Sequence, residues 1–253
     1  MSELKCKKCG HIITDLRVRK GDSDYCNLRC RCRAVVGVHQ FINPILPTAL
    51  LSKEQIGDIK NWIAQPKIDG WRLVVFHNGW GRLPLIYTRQ GFELTHWKGL
   101  QGIRAEFNTM PIGVYDCELW INGGTEKDIP QLKDGSIAGA RVTIFDLIVD
   151  KLSLTERYTF LLEAIRRQKN GKHKVEFRFI DLIACYDLAE LSKSNQEITI
   201  AALPKMVNNL KQEGYVGIIL KKRNSIYPLS DDPKSREATN EDWIKVINIE
   251  KLL

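Results

Sequence analysis

Short β-type runs, set around only two helical stretches, constrain this chain more than anything else in it. Residues 73–76 and 85–88 flank a Gly/Asn-rich segment as the arms of a hairpin would. Residues 114–121 and 142–147 alternate apolar and polar side chains, the period of a half-buried strand. Residues 217–220 form a short apolar run that reads as a buried strand, and residues 243–247 read as a last one. A helical stretch opens at Leu154, with Thr155 as its expected cap and Tyr158, Leu161, Leu162 and Ile165 on one stripe. Residues 199–212 read as a second helix, and Ser52 with Gln55 makes a capping pattern for a helix start. Strands and helices in this order do not alternate strictly, which predicts an α+β fold. A chain of 253 residues, 43% of them hydrophobic, can bury a real core.

The charge is uneven. Of a net +8, residues 1–40 carry nine Lys/Arg against four acids, which favours a polyanionic partner. Five of the seven cysteines share that segment. Cys6-x-x-Cys9 is followed by Cys26, Cys30 and Cys32, a spacing that suits a tetrahedral zinc (Zn2+) site better than disulfides. Cys6, Cys9, Cys26 and Cys30 are the expected ligands, with Cys32 able to substitute; His11 and His39 are read as bystanders. So short a segment buries little, so the metal would supply its folding energy. The expected organisation is a zinc-binding module over 1–40, a linker within 37–50 marked by Gly37, Pro44 and Pro47, and a larger domain over 41–253. Cys117 and Cys185 are expected as buried core thiols. No apolar run approaches the ~20 residues of a membrane span, and the N-terminus has no signal-peptide core, so a cytoplasmic location and no membrane partner are expected.

The chemistry gathers at Lys67-Ile68-Asp69-Gly70-Trp71-Arg72. A lysine that attacks a nucleotide α-phosphate needs cations nearby, a glycine where backbone and nucleotide approach closely, and downstream carboxylates for ribose and metal. In order after it stand Thr88-Arg89-Gln90-Gly91, Tyr115-Asp116-Cys117-Glu118-Leu119, Ile144-Phe145-Asp146-Leu147, Leu154-Thr155-Glu156-Arg157, Gly217-Ile218-Ile219-Leu220-Lys221 and Trp243-Ile244-Lys245. Together these resemble the nucleotidyltransferase domain of ATP-dependent DNA ligases and their relatives, the RNA ligases and mRNA-capping enzymes, over about residues 60–247. The resemblance implies an ATP-grasp-like domain of antiparallel sheets flanked by helices. It implies Lys67 as the nucleophile that takes AMP from ATP, Gln65 on the adenine edge and Phe145 stacked on the ring. Arg72 and Arg89 would hold ribose and phosphates or the nicked strand's 5′-phosphate, Glu118 the ribose hydroxyl or magnesium (Mg2+), and Lys221 and Lys245 the α-phosphate.

Several positions depart from that pattern. Cys117 stands for a glycine, Val216 for a glutamate, and Ile247 for the second lysine of the closing motif; Glu213 lies nearby, eight residues before Lys221. The sequence ends at Leu253, where the resembled enzymes continue into an OB-fold. The expectation is a compact, phage-like monomeric ligase of nicked double-stranded DNA, with an OB-fold protein supplied in trans or the zinc module sharing the grip. The rival expectations are an RNA ligase or RNA end-processing enzyme, and a non-catalytic nucleic-acid binder.

Overall fold

The computed structural model describes residues 44–77, 83–170, 176–193, 200–227, 239–248 and 250. The cysteines of the expected zinc module (Cys6, Cys9, Cys26, Cys30 and Cys32) lie outside the described residues, as do His11 and His39. In chain order the strands are β1 (Leu46–Ala49), β2 (Trp62–Lys67), β3 (Trp71–His77), β4 (Leu85–Thr88), β5 (Gly113–Ile121), β6 (Ala140–Leu147), β7 (Ile180–Leu182), β8 (Tyr186–Asp187), β9 (Gly217–Lys222) and β10 (Thr239–Val246). The α-helices are α1 (Gln101–Phe107), α2 (Leu154–Asn170), α3 (Leu188–Lys193) and α4 (Leu203–Gln212).

Two five-stranded sheets result, ordered β1-β10-β9-β2-β8 and β4-β3-β5-β6-β7. Pairing is antiparallel except for two edges, β1 on β10 and β7 on β6. This is the α+β architecture that the unalternating pattern predicts. Leu203, Val207 and Leu210 of α4 bury against Ile218 and Leu220 of the first sheet. Leu161 and Ala164 of α2 and Phe107 of α1 cover the outer face of the second, with Leu73, Val75 and Ile144. The opposite face of β3 and β5 turns toward the first sheet. There Val74, Phe76 and Val114 pack on Ile45, Tyr227 and Trp243 and join the sheets at one end. On the same face, two and four residues along, stand Arg72, Asp116 and Glu118, so the other end is polar.

Four local expectations change. The residues expected as linker include β1, whose Pro47 is tolerated because β1 is an edge strand. The Ser52–Gln55 capping box forms but yields a single 3-10 turn. Beyond it Ile56 and Ile59 turn inward onto Trp62, whose indole N–H donates to the Ile56 carbonyl at 2.7 Å. The cap of α2 is Ser153 rather than Thr155. The Glu156 N–H donates to Ser153 Oγ (3.3 Å), and the Glu156 carboxylate accepts from the Ser153 N–H (2.8 Å), a reciprocal box. Thr155 instead donates its hydroxyl to the Arg223 carbonyl. Lastly, Cys117 is buried as expected, whereas Cys185 is only half-buried.

Two buried carboxylates tie the layers. Asp116 and Asp146 are direct cross-strand partners, both essentially inaccessible. Like charges so placed repel unless each is matched. Asp116 accepts from Arg72 Nε (2.8 Å) and Nη2 (2.6 Å) and from the Tyr227 hydroxyl (2.7 Å). Asp146 accepts from Arg157 Nε (2.7 Å) and Nη2 (3.1 Å), and from Lys221 Nζ (3.1 Å) across the gap between sheets. Burial alone would raise the Asp146 carboxyl; Arg157 and then Lys221 outweigh it and hold it down to about 2. Asp146→Asn leaves two buried cations without their anion, and an urea titration is expected to show a loss of about 3–5 kcal/mol. Asp181→Asn, at the partly exposed Arg141 pair, is expected to cost below about 1 kcal/mol.

Candidate active site

A cleft of about 800 Å³ opens between the polar ends of the two sheets. The register of the first sheet decides which side chains floor it. Gln65 of β2, Ile219 of β9 and Lys245 of β10 are paired in one row, and Lys221 and Trp243 in the next. Lys67 ends β2 opposite Gly217. All of these except Gly217 line the cleft. Lys67 is half-buried; its Nζ donates to the Ile68 carbonyl at 3.1 Å, and its carbonyl accepts from the Val216 N–H at 2.9 Å. The glycine after Asp69 is required by protein rather than by nucleotide: a Cβ on Gly70 would lie 2.2 Å from the Leu119 carbonyl oxygen.

The second sheet supplies the facing wall. Arg72 of β3 pairs with Glu118 of β5. Asp116 pairs with Asp146 but Cys117 with Ile144, so Phe145 is an extra residue in β6, a β-bulge. The bulge interrupts the alternation and brings the Phe145 ring to the cleft, between Arg72 (5.2 Å to the ring centroid) and Lys221 (4.9 Å). Past β4, Thr88 to Phe92 make a tight turn. The Phe92 N–H donates to Thr88 Oγ1 (3.2 Å), and Gly91 takes φ +86, which a side chain resists. The Arg89 N–H donates to the Arg72 carbonyl (3.0 Å), leaving the Arg89 side chain exposed at the rim.

Thus Gln65, Lys67, Arg72, Arg89, Glu118, Phe145, Lys221 and Lys245 all border one cleft, although they come from segments up to 180 residues apart. Their states differ. The Arg72 guanidinium is engaged by Asp116 and by the Ile45 carbonyl, so it braces Phe145. Lys221 is 1% exposed and 3.8 Å from the Trp243 ring centroid. Burial lowers its pKa and the Arg157 charge adds to this, while Asp146 and Asp116 oppose it. Glu118 makes no hydrogen bond or ion pair among the described residues. Burial pushes its carboxyl up to about 7; Asp116 and Asp69 add to this, while Lys67 and Arg72 oppose it. Glu213 is exposed at the end of α4 and lines no part of the cleft.

Sequence reasoning missed Asp146, Arg157 and Tyr227 as the support beneath the site, and Trp243 as part of its floor. Buried charged residues beside aromatic ones were the available signal. It also missed Phe92, which stands 70% exposed on the rim beside Arg89.

No protein-family model matches the sequence, and no curated protein matches it. Solved structures do. A Lig E DNA ligase, described as binding DNA with a minimal scaffold, aligns with TM-score 0.52 and 18% identity over 81% of this chain and 70% of its own. The Chlorella virus DNA ligase-adenylate gives 0.57 and 18% over 81% and 67%. The ATP-dependent DNA ligase of bacteriophage T7, in complex with ATP, gives 0.57 and 12% over 83% and 70%. The described domain therefore has the fold of the adenylation domain of ATP-dependent DNA ligases. That is the fold the sequence motifs imply.

The Glu118 carboxyl generates a pH test. Between about pH 4.5 and 7 the native chain keeps a proton there that the unfolded chain releases, so this group's contribution to stability falls as pH rises. Glu118→Gln mimics the protonated form. Wild type and variant are expected to match below about pH 4, and the variant to be more stable by about 3 kcal/mol at pH 8, in denaturant titrations at each pH.

Proposed function

We propose that this protein is an ATP-dependent polynucleotide ligase that seals nicks in DNA through a covalent lysyl-AMP intermediate. The observation that carries this reading is the convergence of Lys67, Phe145, Glu118, Arg89, Lys221 and Lys245 on one cleft. The adenine would lie against Phe145 with Gln65 at its edge, and the triphosphate would run toward Lys67 and Arg89. Lys67 Nζ would attack the α-phosphorus, forming the P–N bond as the bond to pyrophosphate breaks; the ammonium must first lose a proton. The AMP would pass to a 5′-phosphate, and a 3′-hydroxyl would then displace it to form the phosphodiester. Lys245 would offset charge that builds on the phosphoryl oxygens, and Lys221, held on Asp146, would add its field from the cleft floor. Asp69 and Glu118 are the carboxylates that fit a magnesium ion: they face the cleft, and Glu118 has no cation paired to it. When bound, that ion would neutralise phosphate oxygens and assist the leaving pyrophosphate.

The domain over 41–253 would perform the chemistry. The module over 1–40, holding zinc through Cys6, Cys9 and two of Cys26, Cys30 and Cys32, would add basic charge against the DNA backbone.

Intact-protein mass spectrometry after incubation with ATP and magnesium is expected to show a gain of one AMP, absent in Lys67→Ala. Transfer to a nicked DNA duplex, and not to a nick flanked by RNA, is expected to follow. A folded protein without the adduct overturns the ligase reading in favour of a nucleic-acid binder; sealing confined to RNA overturns the DNA assignment. Native mass spectrometry is expected to find one zinc per chain, lost in Cys6→Ala/Cys9→Ala.

A further inference from the structure

The amide of Gln65 is 2% exposed, yet it borders the cleft. Its Nε2 donates both hydrogens to protein acceptors. One goes to the Phe145 carbonyl at 3.1 Å and the other to Cys185 Sγ at 3.0 Å. A carbonyl can only accept, so the NH2 end must face Phe145, and the amide cannot be turned around without opposing two oxygens. That carbonyl is available because Phe145 is the bulged residue of β6; it also takes a long contact from Lys221 Nζ (3.4 Å). Oε1 is then the remaining polar atom of the side chain, and it has no partner among the described residues.

We propose that Cys185 is a positioning residue for base recognition: together with the Phe145 carbonyl it occupies both amide hydrogens of Gln65 and commits Oε1 to accept from an exocyclic amino group. The site thereby selects a 6-amino purine over a 6-oxo purine. This rests on the cleft's being a nucleotide site, as proposed above. A 6-oxo group would set its oxygen against Oε1, with no donor left to rotate into place, and an unmatched buried acceptor is costly. The thiol is suited to accepting. Burial pushes its pKa up to about 11, so at neutral pH it remains a weak, uncharged acceptor that does not draw a cation into the base pocket. Tyr158, whose hydroxyl donates to the Ile183 carbonyl at 2.7 Å, packs beside it.

The test compares binding of ATP and of inosine triphosphate, which has oxygen at position 6 and lacks guanine's 2-amino group. Calorimetry on the full-length Lys67→Ala chain with magnesium reads affinity without turnover. ATP is expected to bind about 10- to 100-fold tighter than inosine triphosphate. Cys185→Val, one methyl group larger, cannot accept, and is expected to reduce that ratio several-fold; Cys185→Ser, which can accept, is expected to restore it. A ratio near one in the parent chain, or a ratio unchanged by Cys185→Val, overturns the proposal, and so does a parent chain that binds neither nucleotide. ATP-selective binding lost in the valine variant and recovered in the serine variant upholds it even if Lys67 in the native chain takes no AMP. That result would sink only the ligase reading.

Discussion

The site depends on two carboxylates buried side by side, Asp116 and Asp146. Two anions opposite each other on adjacent strands would split the sheet if unmatched. Arg72, Arg157 and Lys221 match them, and each cation comes from a different element: β3, α2 and β9. Lys221 belongs to the other sheet, so the pairing that neutralises the interior also fixes the width of the cleft. Breaking one partner leaves a naked buried charge, which is why the arrangement is all-or-none.

The bulge in β6 serves two ends at once. It turns the Phe145 ring into the cleft and frees the Phe145 carbonyl, which the ladder would otherwise use. The ring is then braced by Arg72 and Lys221, and the carbonyl orients Gln65. A regular strand of the same sequence would put Phe145 and Asp146 on opposite faces with no spare acceptor. Electrostatics in the cleft follow from the same geometry. The cations nearest the core are spent on Asp116 and Asp146, whereas Glu118 is bonded to neither Lys67 nor Arg72; burial outweighs their pull, so it holds its proton more tightly than an ordinary carboxyl.

Much of this was legible in the sequence, and for physical reasons. The hairpin of β3 and β4, strands β5, β6 and β9, and helices α2 and α4 announce themselves through local periodicity, which depends only on which face is buried. The motif residues did gather at one cleft. What periodicity could not show was β2, the strand that carries Gln65 and Lys67. It reads as Trp-Ile-Ala-Gln-Pro-Lys, with a proline, and is a strand only because β9 pairs its whole length and β8 reaches just Ile63 and Ala64. The short α1 and α3 were likewise silent. Thr155 looked like a cap because caps are recognised by residue type; Ser153 won because Glu156 could answer it.

The sequence by itself determined the class of fold and the residue types available for chemistry, since these follow from burial period and from motifs of fixed local spacing. Only the tertiary structure decided what each residue is free to do. Arg72 and Lys221 read as phosphate ligands, but the interior engages them with Asp116 and Asp146. Cys185 read as inert core, but it lies against Gln65. Those assignments depend on contacts between residues 44 to 120 positions apart, and such contacts are set by sheet register and by the bulge at Phe145, neither of which any local pattern encodes.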